Sequence, residues 1–223
     1  MKRAIPRKLK MMICAALALI LITLGLFYIL PPSDRRLADR YSGKISAYVS
    51  ENDQDEDGID DQTDILQSAW EYLSSRPEYK SRYYEGGYPD DGYGVCTDVV
   101  AFALKGAGYD LSALVDHDIR TNNSDYNVET PDANIDFRRV RNLAVYFEHH
   151  ALAMSMDLNE KSEWQGGDIV IFKDHIGIVS DRRNRYGIPY LIHHYGPFQR
   201  YYEEDVLSMR TDMIGHYRII GDE

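Results

Sequence analysis

The sequence predicts an α+β domain behind one transmembrane helix, and three patterns carry that prediction. Residues 11–30 are apolar and uncharged, helical periodicity dominates between residues 34 and 150, and from Gly167 onward the texture turns to short strands. Composition narrows the function classes. Of 223 residues, 44% are hydrophobic and 12% aromatic, too many for a disordered chain, and a formal net charge of −11 leaves no basic face for nucleic acid. Two cysteines, Cys14 and Cys96, make no disulfide framework.

Residues 1–10 read as a basic cytoplasmic tail with Lys2, Arg3, Arg7, Lys8 and Lys10. The run MMICAALALILITLGLFYIL follows at 11–30, and at about 1.5 Å per residue it spans roughly the 30 Å hydrocarbon core. The positive-inside rule then keeps the N-terminus in the cytoplasm and places everything after Pro31 outside, in the cell envelope. A cleaved signal peptide is the competing reading, but the run exceeds a usual h-region and FYILPPSD lacks a small-x-small cleavage pair. Cys14 is expected to face lipid.

Residues 31–52 read as a stalk or first helix, because Leu37, Tyr41, Ile45 and Tyr48 recur at helical spacing over 34–49. The main domain is assigned to 53–223. A helix is expected at 64–76, with Ile65, Leu66, Ala69, Tyr72 and Leu73 as its apolar stripe and Pro77 as its stop. A loop rich in Gly, Pro, Asp and Tyr covers 83–95, and a helix then runs from Cys96 to Lys105 before Gly106 and Gly108. Another helix is expected over 136–150, with Val140, Leu143, Ala144 and Phe147 inward. The segments DIVIF, HIGIVS, PYLIHHY and HYRII, separated by polar or Gly/Pro turns, predict an antiparallel sheet.

Cys96 starts a helix, where the positive end of the macrodipole favours the thiolate and lowers the thiol pKa. His175 opens a strand and can present an imidazole as general base. A cysteine nucleophile needs such a base, and the base needs a third polar group to fix its tautomer. His193 or His194 can supply it, and since neighbouring strand residues face opposite ways only one of them can point at His175. A bland buried cysteine is the minor alternative for Cys96, whereas each histidine alone reads more simply as a surface or hydrogen-bonded core residue; the ordered set points to acyl transfer. Asp98 caps the helix or meets substrate, with capping preferred, and Asp174 reads as a turn residue.

The run YYEGGYPDDGYGVCTDVV, then GDIVIFKDHIGIVS, then YLIHH, resembles the NlpC-type papain-like cysteine peptidases of bacterial cell walls. That family has a Tyr-x-x-Gly-Gly loop leading to the nucleophilic Cys, then a Gly-Asp strand, His-hydrophobic-Gly-Ile, and a strand ending in His. The resemblance implies a papain-like NlpC-type fold, with Cys96 as nucleophile, His175 as general base, His193 as orienting residue and Tyr83 shaping the oxyanion site. His194 stays the alternative third member. From Asp53 to the terminal GHYRII the chain also resembles the bacterial family known as domain of unknown function 1287. The chain departs from the superfamily in having Val95-Cys96-Thr97-Asp98 where Asp-Cys-Ser-Gly is usual, and its Gly-Gly to Cys spacing is one residue longer. The function implied is a membrane-anchored hydrolase cleaving an amide bond in peptidoglycan or an envelope peptide through a Cys-His-His triad. The alternative is an inactive calcium-binding papain-like module that binds an envelope ligand.

The run from Asp53 to Asp64 matches the D-x-D-x-D-G calcium loop. Asp53, Asp55 and Asp57 would give side-chain oxygens, Ile59 its carbonyl, Asp61 a direct or water-mediated ligand and Asp64 the closing carboxylate. Six aspartates so close repel without a cation, so Ca2+ is expected here in preference to a solvated acidic linker. Asp64 stands where a bidentate glutamate is usual. No organic cofactor is expected. His117, His149 and His150 show no metal-ligand spacing with any acid or thiol, and a zinc site on His175, His193 and His194 is the weaker metal reading.

Overall fold

The computed structural model describes residues 6–29, 32–196 and 198–221, so Lys2, Arg3, Leu30 and Pro31 of the basic tail and apolar run lie outside it. The run forms α1 (Arg7–Ile29). Its stretch Arg7–Gly25, with mean hydropathy 2.0, is long and apolar enough for a membrane span or a signal sequence.

The helix expected over 34–49 does not form. The segment lies along the domain, several of its backbone groups captured by distant partners. The Arg40 N–H donates to the Arg183 carbonyl at 2.8 Å and the Tyr48 N–H to Gln165 Oε1 at 3.0 Å. Arg36 pairs with Asp181 and Glu203, Arg182 Nη1 donates to the Leu37 carbonyl at 2.8 Å, and Ser33 bridges Tyr201. These bonds replace the i→i−4 ladder a helix needs. The 3.6-residue spacing is therefore incidental, and the segment is a strap on the domain, not a stalk.

Helix α2 (Asp61–Ser74) starts three residues earlier than expected, because Asp60 caps it by accepting the Thr63 N–H. Its Ile65, Ala69 and Leu73 are fully buried in one core with Val99, Val100, Ala103 and Leu104 of α3 (Cys96–Gly106). Each large aliphatic side chain so buried contributes about 1.5–3 kcal/mol. Asp110 caps α4 (Leu111–Thr121), which is followed by the short α5 (Asn123–Tyr126). The helix expected over 136–150 is a 3-10 turn at Asp136–Arg138 and then α6 (Val140–His150), separated by an extended Arg139.

Strands β1 (Glu78–Tyr79) and β2 (Tyr93–Gly94) pair in parallel and lead into α3. The main sheet is antiparallel, in the order β3-β8-β4-β5-β6-β7. Its strands are β3 (Leu152–Ala153), β4 (Ile169–Phe172), β5 (Ile176–Arg183), β6 (Pro189–Ile192), β7 (Glu203–Glu204) and β8 (Met213–Arg218). Side chains alternate between two cores: Ile169, Ile171, Ile176, Ile178 and Ile192 join the helices, while Val170, Phe172, Val179 and Leu191 pack with Trp164 and Leu207 on the other side. The architecture is thus α+β, as expected, with both faces of the sheet covered.

One buried ionic node ties the layers together. Asp168 accepts from Arg218 Nε at 2.7 Å and Nη2 at 2.9 Å, from Gln62 Nε2 at 2.9 Å and from the Gln165 N–H at 2.7 Å, and it lies 3.0 Å from His216 Nε2. The Gly-Asp pair at the head of β4 therefore links β8, α2 and the preceding loop.

Candidate active site

The start of α3 is built for Cys96. Val95 enters extended, and its N–H donates to Asp98 Oδ2 at 2.7 Å, so Asp98 caps the helix as expected. The same carboxylate also makes a buried bidentate pair with Arg138, from Nε at 2.6 Å and Nη2 at 2.9 Å. Gly94 leaves room for Tyr72, whose hydroxyl would lie 1.9 Å from a Cβ at that position. Cys96 is only 6% exposed.

The structure joins His175 to His193 and sets the Cys96 sulfur against the backbone of the residue that follows His175. The backbone N–H of Ile176, one residue after His175, favours the charged form of the Cys96 sulfur, as do the N–H groups of Thr97 and Cys96 itself. His175 Nε2 lies 2.7 Å from His193 Nδ1, which leaves His175 Nδ1 as its free ring nitrogen. His193 Nε2 in turn lies 3.2 Å from Glu204 Oε2 on β7. The carboxylate can only accept, so the His193 proton sits on Nε2, Nδ1 accepts, and His175 carries its proton on Nε2. Gly177 allows this close approach, because a Cβ there would sit 2.9 Å from the Ile192 carbonyl and 3.1 Å from His193 Cβ.

His194 does not compete for that place. Both of its ring nitrogens are buried without a hydrogen-bond partner, and its ring meets Tyr79 and Tyr202 edge-on at 4.9 and 5.3 Å. The adjacent-residue alternation therefore selects His193, and no zinc triad of His175, His193 and His194 assembles.

Electrostatics differ from the expectation drawn from the helix start. Burial pushes the Cys96 thiol up to about 11, outweighing the backbone N–H groups that lower it. Burial, with the neighbouring His193 and Arg210, pushes His175 down to about 2. The resting pair is a neutral thiol and a neutral imidazole.

Tyr83 is engaged by other partners. It is exposed, accepting at its hydroxyl from Asn134 Nδ2 at 3.0 Å and donating to Asp132 Oδ2 at 3.2 Å. Tyr79 is the tyrosine whose phenol feels Cys96: burial, then the charges of Cys96 and Tyr195, push it up to about 12. A phenol held there stays protonated and able to donate. Tyr195 stands edge-on to His175 at 5.2 Å. Sequence reading missed Tyr79, Glu204 and Arg138. The alternation of YLIHHY pointed to one histidine but carried no signal for the carboxylate behind it.

Two clusters elsewhere could hold a cation. In the acidic loop, Asp53, Asp55 and Asp57 each present an oxygen, all within 4.8 Å of one another. Ile59 is exposed, its N–H donating to Asp57 Oδ1 at 2.8 Å. Asp61 differs from its expected role as a ligand, since its Oδ1 accepts the Gln54 N–H and its Oδ2 the Tyr109 hydroxyl. Asp64 is buried at the start of α2. The second cluster corrects the expectation that His149 and His150 have no metal-ligand spacing with any acid. His149 Nδ1 and His150 Nε2 lie 2.8 and 3.1 Å from the buried Asp118, which Tyr126 and Asn122 also bond. His117 is absent from this cluster.

A protein of Escherichia coli (strain K12) named "Uncharacterized protein YijF" is 40% identical over 151 residues, covering 64% of this chain and 72% of that protein. No solved structure matches the chain. Residues 66–219, more than half of the chain and the part that carries Cys96, His175, His193 and Glu204, match the family described as "Domain of unknown function (DUF1287)", and the chain belongs to that family.

Proposed function

We propose that this protein is a cysteine hydrolase of papain-like, NlpC-type construction that cleaves an amide bond in peptidoglycan or an envelope peptide. The observation that carries the reading is the relay His175–His193–Glu204, which begins one residue before the Ile176 backbone N–H that serves the Cys96 sulfur. A buried thiol beside an imidazole whose tautomer is fixed by two further side chains has the parts of a nucleophile, base and orienter. The motif resemblance supports the cell-wall substrate class. The apolar α1, with Arg7, Lys8 and Lys10 in its first turn, supports a single-pass anchor with the domain outside the cytoplasm.

The neutral resting pair sets the order of proton transfer. As Cys96 Sγ attacks the substrate carbonyl carbon, its proton passes to His175 Nδ1 and a C–S bond forms. The oxyanion takes hydrogen bonds from the Cys96 backbone N–H and the Tyr79 hydroxyl. The tetrahedral intermediate then expels the amine, which receives the proton from His175 Nδ1 as the C–N bond breaks. Water attacks the thioester, its proton goes to His175 and then to the sulfur, and the carboxylic acid leaves.

The test is digestion of purified cell-wall muropeptides by the full chain in detergent, with mass spectrometry of the products. A new amine and carboxylate pair that disappears in Cys96→Ser and in His175→Ala supports hydrolysis. Unchanged muropeptides and envelope peptides with the wild-type chain overturn it and favour the binding-module reading.

A further inference from the structure

The last turn of α6 and the last turn of α4 meet at one carboxylate. The Asp118 side chain is only 3% exposed, and two neighbouring histidines reach it. His149 Nδ1 lies 2.8 Å from Oδ2, and His150 Nε2 lies 3.1 Å from Oδ1. Successive residues of a helix point about 100° apart. The two rings converge all the same, because His149 uses its near nitrogen and His150 its far one. All three donor atoms lie within 4.8 Å of one another. The rings are 27% and 41% exposed, so the point they share with the buried carboxylate is open to solvent on one side.

Further groups hold these atoms in place. Tyr126 donates its hydroxyl to Asp118, and Asn122 Nδ2 donates to Asp118 Oδ1 at 2.7 Å. On the far side of the His149 ring, Nε2 lies 3.6 Å from Asp125 Oδ2. Both carboxylates can only accept, and a neutral imidazole has a single N–H, so the His149 ring alone can serve one of them and not the other. A cation on the Nδ1 lone pair removes that conflict. The ring proton then sits on Nε2 and faces Asp125, the carboxylate–histidine–metal arrangement that fixes a ligand's tautomer and orientation. The C-terminal turn of α6 adds the negative end of its dipole.

Two imidazole nitrogens and one carboxylate suit a borderline ion such as zinc, whereas calcium and magnesium prefer oxygen donors. Zinc–ligand bonds of about 2.0–2.1 Å set neighbouring donor atoms of a tetrahedron roughly 3.3 Å apart, close to the separations between the histidines and Asp118. We propose that Asp118, His149 and His150 bind one zinc ion, with water in the fourth position, which clamps the end of α6 to α4. The site shares no residue with Cys96, His175 or His193 and is independent of the hydrolase reading.

The full chain in detergent micelles, without a histidine tag, is stripped with EDTA and dialysed. It is then titrated with zinc chloride by calorimetry in about 10 mM calcium, which keeps the acidic loop from competing, and followed by thermal unfolding. Wild type is expected to bind one equivalent of zinc and to rise in Tm, and Cys96→Ala to do the same. His150→Ala is expected to weaken zinc binding at least about tenfold while still unfolding cooperatively without zinc. His149→Ala carries the same expectation and serves if His150→Ala does not fold. An unchanged wild-type Tm in excess zinc overturns the proposal. So does His150→Ala or His149→Ala binding zinc as wild type does, an equal rise in Tm with magnesium, or loss of binding in Cys96→Ala, which would put the ion at the thiol.

Discussion

Glu204 Oε2 lies 3.2 Å from His193 Nε2, and that contact decides which nitrogen of His175 carries the proton. The carboxylate orders His193, His193 Nδ1 accepts from His175 Nε2 at 2.7 Å, and the lone pair of His175 Nδ1 is left for the thiol in the proposed reaction. His193 is thus a positioning residue. His193→Ala is expected to lower kcat on the cell-wall amide at least about tenfold with KM little changed. His193→Asn, which keeps an acceptor, should recover part of it. A loss confined to KM, or equal loss in both variants, contradicts the role.

Tyr79 and Tyr83 separate two accounts of the oxyanion site. The charge of Cys96 acts on the Tyr79 phenol, whereas Tyr83 is occupied by Asp132 and Asn134. Tyr79→Phe is expected to cost about a hundredfold in kcat, the usual loss for one oxyanion donor. Tyr83→Phe should leave kcat within about twofold, since its hydroxyl is taken up by Asp132 and Asn134. Steady-state kinetics of both variants decide it, and the reverse pattern would restore the reading taken from the motif.

Much of the fold is visible in the sequence because it follows periodicity. The stripe Ile65, Ala69, Leu73 and the alternation of IVIF read directly as a helix and a strand buried on both faces. The strap over 34–49 was not legible, because its backbone bonds go to Arg183, Gln165 and Glu203, more than 100 residues away. Helix α4 was overlooked although Asp110 caps it and Leu111, Val115 and Ile119 recur at helical spacing, interleaved with acids and a histidine. At the site, motif order located Cys96, His175 and His193. The direction of the Cys96 pKa was not legible, because a helix start lowers it while burial, a tertiary property, raises it by more.

Asp118 makes the domain acid-sensitive. Burial pushes its carboxyl up, but hydrogen bonds from Tyr126, His150, His149 and Asn122 reverse this and hold it at about 2, below the ordinary 3.8. The unfolded chain therefore takes up this proton first as pH falls. The contribution, on the order of 2 kcal/mol, is fully present above about pH 4 and is lost as pH falls towards 2. Urea unfolding at about pH 5 and about pH 3 should show a larger loss for wild type than for Asp118→Asn. Equal losses contradict the linkage.

Asp168 is expected to be the most costly acid to remove outside the site. Asp168→Ala leaves Arg218 buried without its partner and breaks the bonds to Gln62 and Gln165, for a loss of about 3–5 kcal/mol. Chemical unfolding of the full chain in detergent measures it, and a loss below about 1 kcal/mol would mean that the node adds little.

The most direct test of the catalytic account is the alkylation rate of Cys96 by a small iodoacetamide probe across pH, in wild type and His175→Ala. A neutral thiol served by a neutral imidazole predicts a wild-type rate at neutral pH at least about tenfold above that of His175→Ala, still climbing beyond pH 9. Equal rates in the two proteins would remove His175 as the base, and a wild-type plateau already reached in acid would replace the neutral pair with a preformed thiolate and imidazolium.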